Sequence, residues 1–235
     1  MENTDSNIYK IKMKNNREYT VRKDRHRYFF PNEWNLFMKQ FKNEKNKLFF
    51  ITLLNTGARV MEALHFKPKN FDYERSTVTL DVIKQRKAKK QFSSLIKSRT
   101  FFVSKTFLKE VNKYVKKNNI NDNDYIFMDN KKLPANYDNM TNAEKNKHFI
   151  IYKVNYSSIL KRKLIKAGIK DYYNFSLHNI RKTYGNWMRI YDIRTEELCY
   201  RLGHDYQTFM IHYGSSLIFT PQEKLEIMNI LGDVK

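Results

Sequence analysis

The chain has one cysteine, Cys199, among 235 residues. No disulfide can close within it, and a cysteine-built zinc site is ruled out. A reducing compartment, the cytoplasm, is the expected setting. Cys199 sits in an expected helix and reads as a buried, inert thiol. Glycine (6) and proline (4) are too few for a loop-rich or disordered protein. Long apolar runs are missing as well. The longest, Leu48 to Leu54, spans seven residues even with Thr52 counted, against roughly 20 for a membrane-spanning helix. The first residues carry no apolar stretch, so no secretory signal is read. Acidic residues are scarce: 24 against 45 basic ones, a formal charge of +21. Such an excess needs a polyanion or salt around it, and nucleic acid is the first candidate.

Aromatic residues are plentiful, with 17 Phe and 16 Tyr, so a core of one large domain is available. Residues 1–29 are polar and end in the basic stretch Arg22 to Arg27. They read as a flexible basic arm, either a solvated tail or a DNA-contacting one. Pro31 opens a helix, with Trp34, Phe37, Met38 and Phe41 at helical spacing. A second helix covers 45–55 and stops at Gly57. A third begins at Arg59 and carries Glu62 three positions on, placed to orient the arginine.

From residue 71 the period changes to two. Val78, Leu80 and Val82 alternate with polar residues, and Thr100 to Val103 forms a second strand-like run. Between Val82 and Lys109 lie nine Lys or Arg and no Asp or Glu. This reads as a β-hairpin with a long basic tip that reaches into a DNA groove. Arg86, Lys89, Lys90, Lys97 and Arg99 are the expected DNA contacts.

Further helices are expected over 104–118, 149–167 (capped by Gly168), 178–188 and from Thr195, with a capping-box pattern, to Gly203. Residues 118–148, rich in Asn, Asp and Lys, read as surface loops around the short apolar run Tyr125 to Met128. Thr220 and Pro221 start a last helix that ends at Leu231. The expected fold is thus α+β, mainly helical with a small antiparallel sheet.

The chemistry lies in a few fragments: Thr56-Gly-Ala-Arg59, His178-Asn-Ile-Arg181, Leu202-Gly-His204 and Tyr213. Two arginines can hold the non-bridging oxygens of a phosphate by bidentate, charge-assisted bonds. A tyrosine hydroxyl can attack phosphorus, and histidine can place protons near neutral pH. No metal is expected: His26, His65 and His148 show no ligand spacing, and His212, beside Tyr213, reads as local packing or a phosphate contact.

These fragments resemble the catalytic domain of the tyrosine recombinase, or phage integrase, family. Its pattern is T-G-x-R-x-x-E, a hairpin lysine, H-x-x-R, L-G-H and then tyrosine. From Arg181 to His204 is 23 residues and from His204 to Tyr213 is 9, the family's usual intervals. The resemblance implies the DNA breaking-rejoining catalytic fold over 30–235. It also implies a catalytic set of Arg59, Lys84, His178, Arg181, His204 and Tyr213, with no cofactor.

In this set Arg59 and Arg181 stabilise the charged transition state, and His204 adds a hydrogen bond. His178 either assists deprotonation of the tyrosine or braces the site. The surrounding cations favour phenolate character at Tyr213. The hairpin lysine that protonates the leaving oxygen is Lys84 by position, or Lys87 by the local wording Gln85-Arg-Lys87-Ala.

The implied activity is site-specific cleavage and rejoining of double-stranded DNA through a 3′-phosphotyrosyl intermediate, for integration, excision or resolution of a mobile element. The implied setting is a DNA-associated protein of the host cytoplasm. Two alternatives are a type IB topoisomerase-like relaxing enzyme and a non-catalytic DNA-binding regulator. Family members act as tetramers and exchange their C-terminal helix; residues 220–231 suit that role or packing on their own domain. Two departures stand out. Only about 30 residues precede the catalytic pattern where the family usually has a helical clamp domain. Gly214-Ser-Ser follows the tyrosine, which implies a mobile position for Tyr213.

Overall fold

The computed structural model describes residues 8–12, 18–22, 27–82, 98–213 and 219–234. Asn43 caps α2 (Glu44–Thr56), its side chain accepting from the Asn46 N–H at 2.9 Å. The helix ends at Gly57, whose φ of 58° lies in the left-handed region. Between these stops α2 buries Leu48, Phe49, Phe50, Leu53 and Leu54, and also the polar Thr52, Asn55 and Thr56. It is therefore the central helix. Its neighbours are α4 (Lys105–Lys117) and α6 (Leu177–Met188).

Around this centre stand α1 (Pro31–Met38), α3 (Val60–Leu64) and α5 (Asn142–Lys166). They are joined by α7 (Thr195–Leu202), α8 (Tyr206–Tyr213) and α9 (Pro221–Leu231). The sheet is small and antiparallel, in the order β3 (Phe71–Asp72), β4 (Thr77–Asp81), β5 (Ser98–Phe102). Val78 pairs with Phe101 and Leu80 with Arg99, so Val78, Leu80, Phe101 and Arg99 all point inward. The expected mainly helical α+β class is the one found. The hairpin tip, with Lys84, Arg86, Lys87, Lys89, Lys90 and Lys97, lies outside the described residues.

Several expectations need correction. Within the stretch read as a flexible basic arm, β1 (Ile8–Lys12) and β2 (Glu18–Arg22) pair antiparallel. At its end Arg27 is anchored, with Nε 2.8 Å from Asp171 Oδ2 and a second fork on Glu33. Its guanidinium lies 4.5 Å over the Phe175 ring. Phe29 is pinned to α6 by two bonds, its N–H to Thr183 Oγ1 (2.9 Å) and its carbonyl to Trp187 Nε1 (3.0 Å). Helix α5 begins seven residues before Phe149, at Asn142, because Thr141 and Glu144 form a reciprocal cap. Ile126, Phe127 and Met128 are core rather than loop surface. Thr195 is the first helical residue of α7, and its N-cap Arg194 makes no side-chain cap bond.

Helix α9 follows its signals: Thr220 and Glu223 cap it reciprocally and Pro221 stands in its first turn. In the single chain it lies beside α1 and buries Ile227 and Leu231. Tyr191 ties down its end by donating to the Gly232 carbonyl at 2.9 Å. Packing on the chain's own domain is the arrangement found. Among the described residues, no helix is long and apolar enough to cross a membrane.

Candidate active site

The turn after α2 and the turn after α7 meet at one place. Arg59 is the N-cap of α3, and its backbone N–H donates to Glu62 Oε2 at 2.8 Å. Its guanidinium Nη1 donates to Glu62 Oε1 at 2.9 Å. The other end, Nη2, reaches the carbonyl of Gly203 at 3.3 Å. The side chain keeps 36% of its surface exposed, so it has donors to offer a ligand.

Arg181 comes from the middle of α6 and is 1% exposed. Nη1 donates to the Gly57 carbonyl and Nη2 to the Leu202 carbonyl. These are the C-terminal ends of α2 and α7, where carbonyls lack helical partners and carry partial negative charge. The sequence spacing of H-x-x-R gave no sign that these two carbonyls serve as ligands. Burial pushes the guanidinium pKa down to about 10, with nearby Arg59 adding to the effect and Tyr213 and Glu62 opposing it.

Arg99 corrects an expectation. Placed in a basic run, it reads as a DNA contact on the surface. It is instead 3% exposed, with Nη2 at 3.1 Å from both oxygens of Glu62. Strand alternation explains this: Arg99 shares the inward face of β5 with Phe101. Burial lowers its pKa, Glu62 opposing and Arg59 reinforcing. Two guanidiniums, Arg59 and Arg99, thus hold the buried carboxylate of Glu62, and Arg181 lies near enough to feel its charge. That cluster is left with an excess of positive charge suited to a phosphate.

Tyr213 is the last residue of α8 and is 0% exposed. A helix over 206–213 is absent from the sequence reading, and it carries the tyrosine inward on its last turn; Gly214-Ser-Ser, on which the expected mobility rested, lies outside the described residues. The ring packs on Phe209 (5.1 Å between centroids) and 5.9 Å from His204. Burial raises the phenol pKa above its ordinary value; the charges of Arg181 and Arg59 work against it. The expected shift toward phenolate is therefore outweighed in this closed arrangement.

His204 follows Gly203, which ends α7 with φ 57°. The His204 N–H donates to Cys199 O at 3.0 Å, and the ring is half-buried. His178 is exposed on the first turn of α6. The fold thus gathers Arg59, Arg181, His204 and Tyr213, with His178 at the outer end of the helix that carries Arg181. Among the described residues, no group of three or more His, Cys, Asp or Glu could hold a metal ion. The His65 ring stacks on Phe149, 3.6 Å between centroids.

Residues 27–217 match the family described as Phage integrase family. Among solved structures, XerA recombinase is similar at 16% identity and TM-score 0.56, over 86% of this chain and 64% of that one. The Tn1549 transposon integrase in complex with transposon right end DNA gives 17% and 0.58, over 88% and 67%. XerH site-specific recombinase, bound to palindromic difH substrate, gives 15% and 0.58, over 88% and 53%. The chain therefore spans about two thirds or less of the length of these proteins. No curated protein matches.

Proposed function

Since the chain belongs to the phage integrase family, we propose that it cleaves and rejoins double-stranded DNA, with Tyr213 as the nucleophile. One observation carries the reading: Arg59 and Arg181 both fasten to the Leu202-Gly203 turn that presents His204, and the His204 ring lies 5.9 Å from that of Tyr213, so both guanidinium charges act on one buried phenol. A phosphate admitted there meets the attacking oxygen and the charge-stabilising donors together.

In the proposed step the Tyr213 oxygen attacks phosphorus and loses its proton, assisted by His178. The bond from phosphorus to the 5′ oxygen breaks. That oxygen takes a proton from Lys84 or Lys87 and leaves as a 5′-hydroxyl. The protein keeps a 3′-phosphotyrosyl linkage, whose ester energy is conserved, so a second 5′-hydroxyl can reverse the step without ATP. Arg59, Arg181 and His204 hold the non-bridging oxygens. Tyr213 and Arg181 are covered in the present arrangement, so DNA engagement has to uncover them before cleavage. Sequential strand exchange calls for a tetramer on two duplexes, with α9 passed to a neighbour. Integration, excision or resolution of a mobile element is the corresponding role.

The test is a nicked suicide substrate carrying a candidate attachment site, scored for a covalent protein–DNA band. The wild type forms the band and Tyr213→Phe loses it while still binding DNA. A band that persists in Tyr213→Phe sinks the assignment. Site-independent relaxation of plasmid DNA at high turnover would favour a topoisomerase.

A further inference from the structure

Arg99 lies at the root of the hairpin, buried, yet it belongs to the site. Glu62, 4% exposed, accepts from the Arg59 N–H, from Arg59 Nη1 and from Arg99 Nη2 through both oxygens. A buried carboxylate must be paired to stay charged, and one guanidinium on each side satisfies both of its oxygens. Without Arg99, the full charge of Glu62 would fall on Arg59 and draw its guanidinium inward, away from any ligand. The second contact is with the backbone. Gly203 has φ 57°, and a β-carbon built there would fall 1.7 Å from Arg99 Nη1. The turn that presents His204 therefore rests directly on the Arg99 guanidinium. The carbonyl of the same Gly203 accepts from Arg59 Nη2. The start of β5 is also tied to α7, the Thr100 N–H donating to the Tyr200 hydroxyl at 3.2 Å.

We propose that Arg99 is a positioning residue for the cleavage reaction: through Glu62 it sets Arg59, and through its contact with Gly203 it sets His204. The proposal rests on the assignment of the site to DNA cleavage given above. Arg99 touches no DNA in this role. It shares out the Glu62 charge so that the exposed donors of Arg59 stay aimed at the phosphate. It also joins the hairpin to both of the turns that carry the anion-binding groups.

The experiment is single-turnover cleavage of the nicked substrate at saturating DNA, with affinity measured separately, for wild type, Arg99→Gln and Arg99→Lys. Arg99→Gln should cleave about 10²-fold more slowly, the scale for small misplacement of reacting groups, with DNA affinity within about twofold of wild type. Arg99→Lys keeps the buried charge, and so the fold, but cannot span Glu62 and Gly203 together. It should recover part of the rate and none of the full bridging.

A wild-type rate in either variant overturns the proposal. So does a loss that lies wholly in DNA affinity, which would make Arg99 a direct contact. Should Arg99→Gln not fold, the Arg99→Lys rate decides alone. A wild type that forms no adduct overturns the cleavage assignment and this proposal with it. A wild type that forms the adduct, with Arg99→Lys equally fast, overturns only the latter.

Discussion

The ring of Tyr213 fills the space in which a side chain at Gly185 would begin: a β-carbon there falls 2.4 Å from Cε1 and 2.7 Å from Cδ1. Gly185 lies inside α6, where glycine costs about 1 kcal/mol relative to alanine. The absent side chain makes the closed seat of the tyrosine possible. Gly185→Ala should therefore destabilise by about 1–3 kcal/mol through overpacking, seen as a lower thermal midpoint. In a Tyr213→Ala background the same change should turn neutral or stabilising, because only the helix preference remains. An equal loss in both backgrounds would show that the ring is not what the glycine accommodates.

Arg27 should be a structural residue. Its side chain is 11% exposed, and it is held by Glu33 and Asp171. Arg27→Ala leaves two half-buried carboxylates without their cation, and about 3 kcal/mol of stability should be lost. Urea unfolding reads this directly. The loss should change little between low and moderate salt, since a mostly buried pair is weakly screened. No change in midpoint would return Arg27 to a solvated arm.

Alkaline pH should unfold the protein early. Tyr184, Tyr191 and Tyr213 all have pKa values raised by burial, and that of Tyr191 is pushed up to about 12. A phenol whose folded pKa is raised contributes fully below its unfolded value of about 10 and loses that contribution as pH climbs to the folded value. For Tyr191 the window is therefore from about 10 up to about 12. Stability measured against pH should fall across it, and Tyr191→Phe should flatten the slope. That variant also loses the bond to Gly232 at the end of α9, so its stability at neutral pH should be lower. A slope unchanged in Tyr191→Phe would assign the fall to other groups.

DNA affinity should drop at least about 10³-fold between 50 and 200 mM salt, given many released counterions. Replacing Lys89 or Lys90 by Gln should reduce the logarithmic salt slope by about one unit each. Arg99→Gln should leave the slope unchanged, because that side chain is buried against Glu62. Filter binding across a salt series separates the two kinds of basic residue, and a shallower slope in Arg99→Gln would mark it as a phosphate contact.

Much of the fold and some of the site could be read from spacing. Helices with strong stops were legible because their punctuation is local: Gly57 after α2, Thr220 and Pro221 before α9. Arg59, Arg181, His204 and Tyr213 came together because they lie at the ends or on the inner faces of such elements. Helix α8 was missed: it is only eight residues long, its apolar residues Phe209, Met210 and Ile211 fall in one run rather than at helical spacing, and its start is marked by the Asp205 side chain accepting from the Thr208 N–H at 2.7 Å. Arg99 and Arg27 were misread for one reason. Both sit in basic runs, where net charge points outward, and only tertiary partners far along the chain turn them inward. The seat at Gly185 was invisible, since a lone glycine in a helix does not announce what fills its space.

Arg181 fastens the carbonyl of Gly57 to that of Leu202. During synthesis, the N-terminal part of that clamp emerges from the ribosome long before its other half. Until Leu202, and Tyr213 beyond it, have been added, the arginine has one jaw and lacks the proposed nucleophile. A half-made or truncated copy could attract DNA through its lysines and yet be unable to cut it. Under the proposed function, the order of translation itself then keeps incomplete chains from breaking DNA.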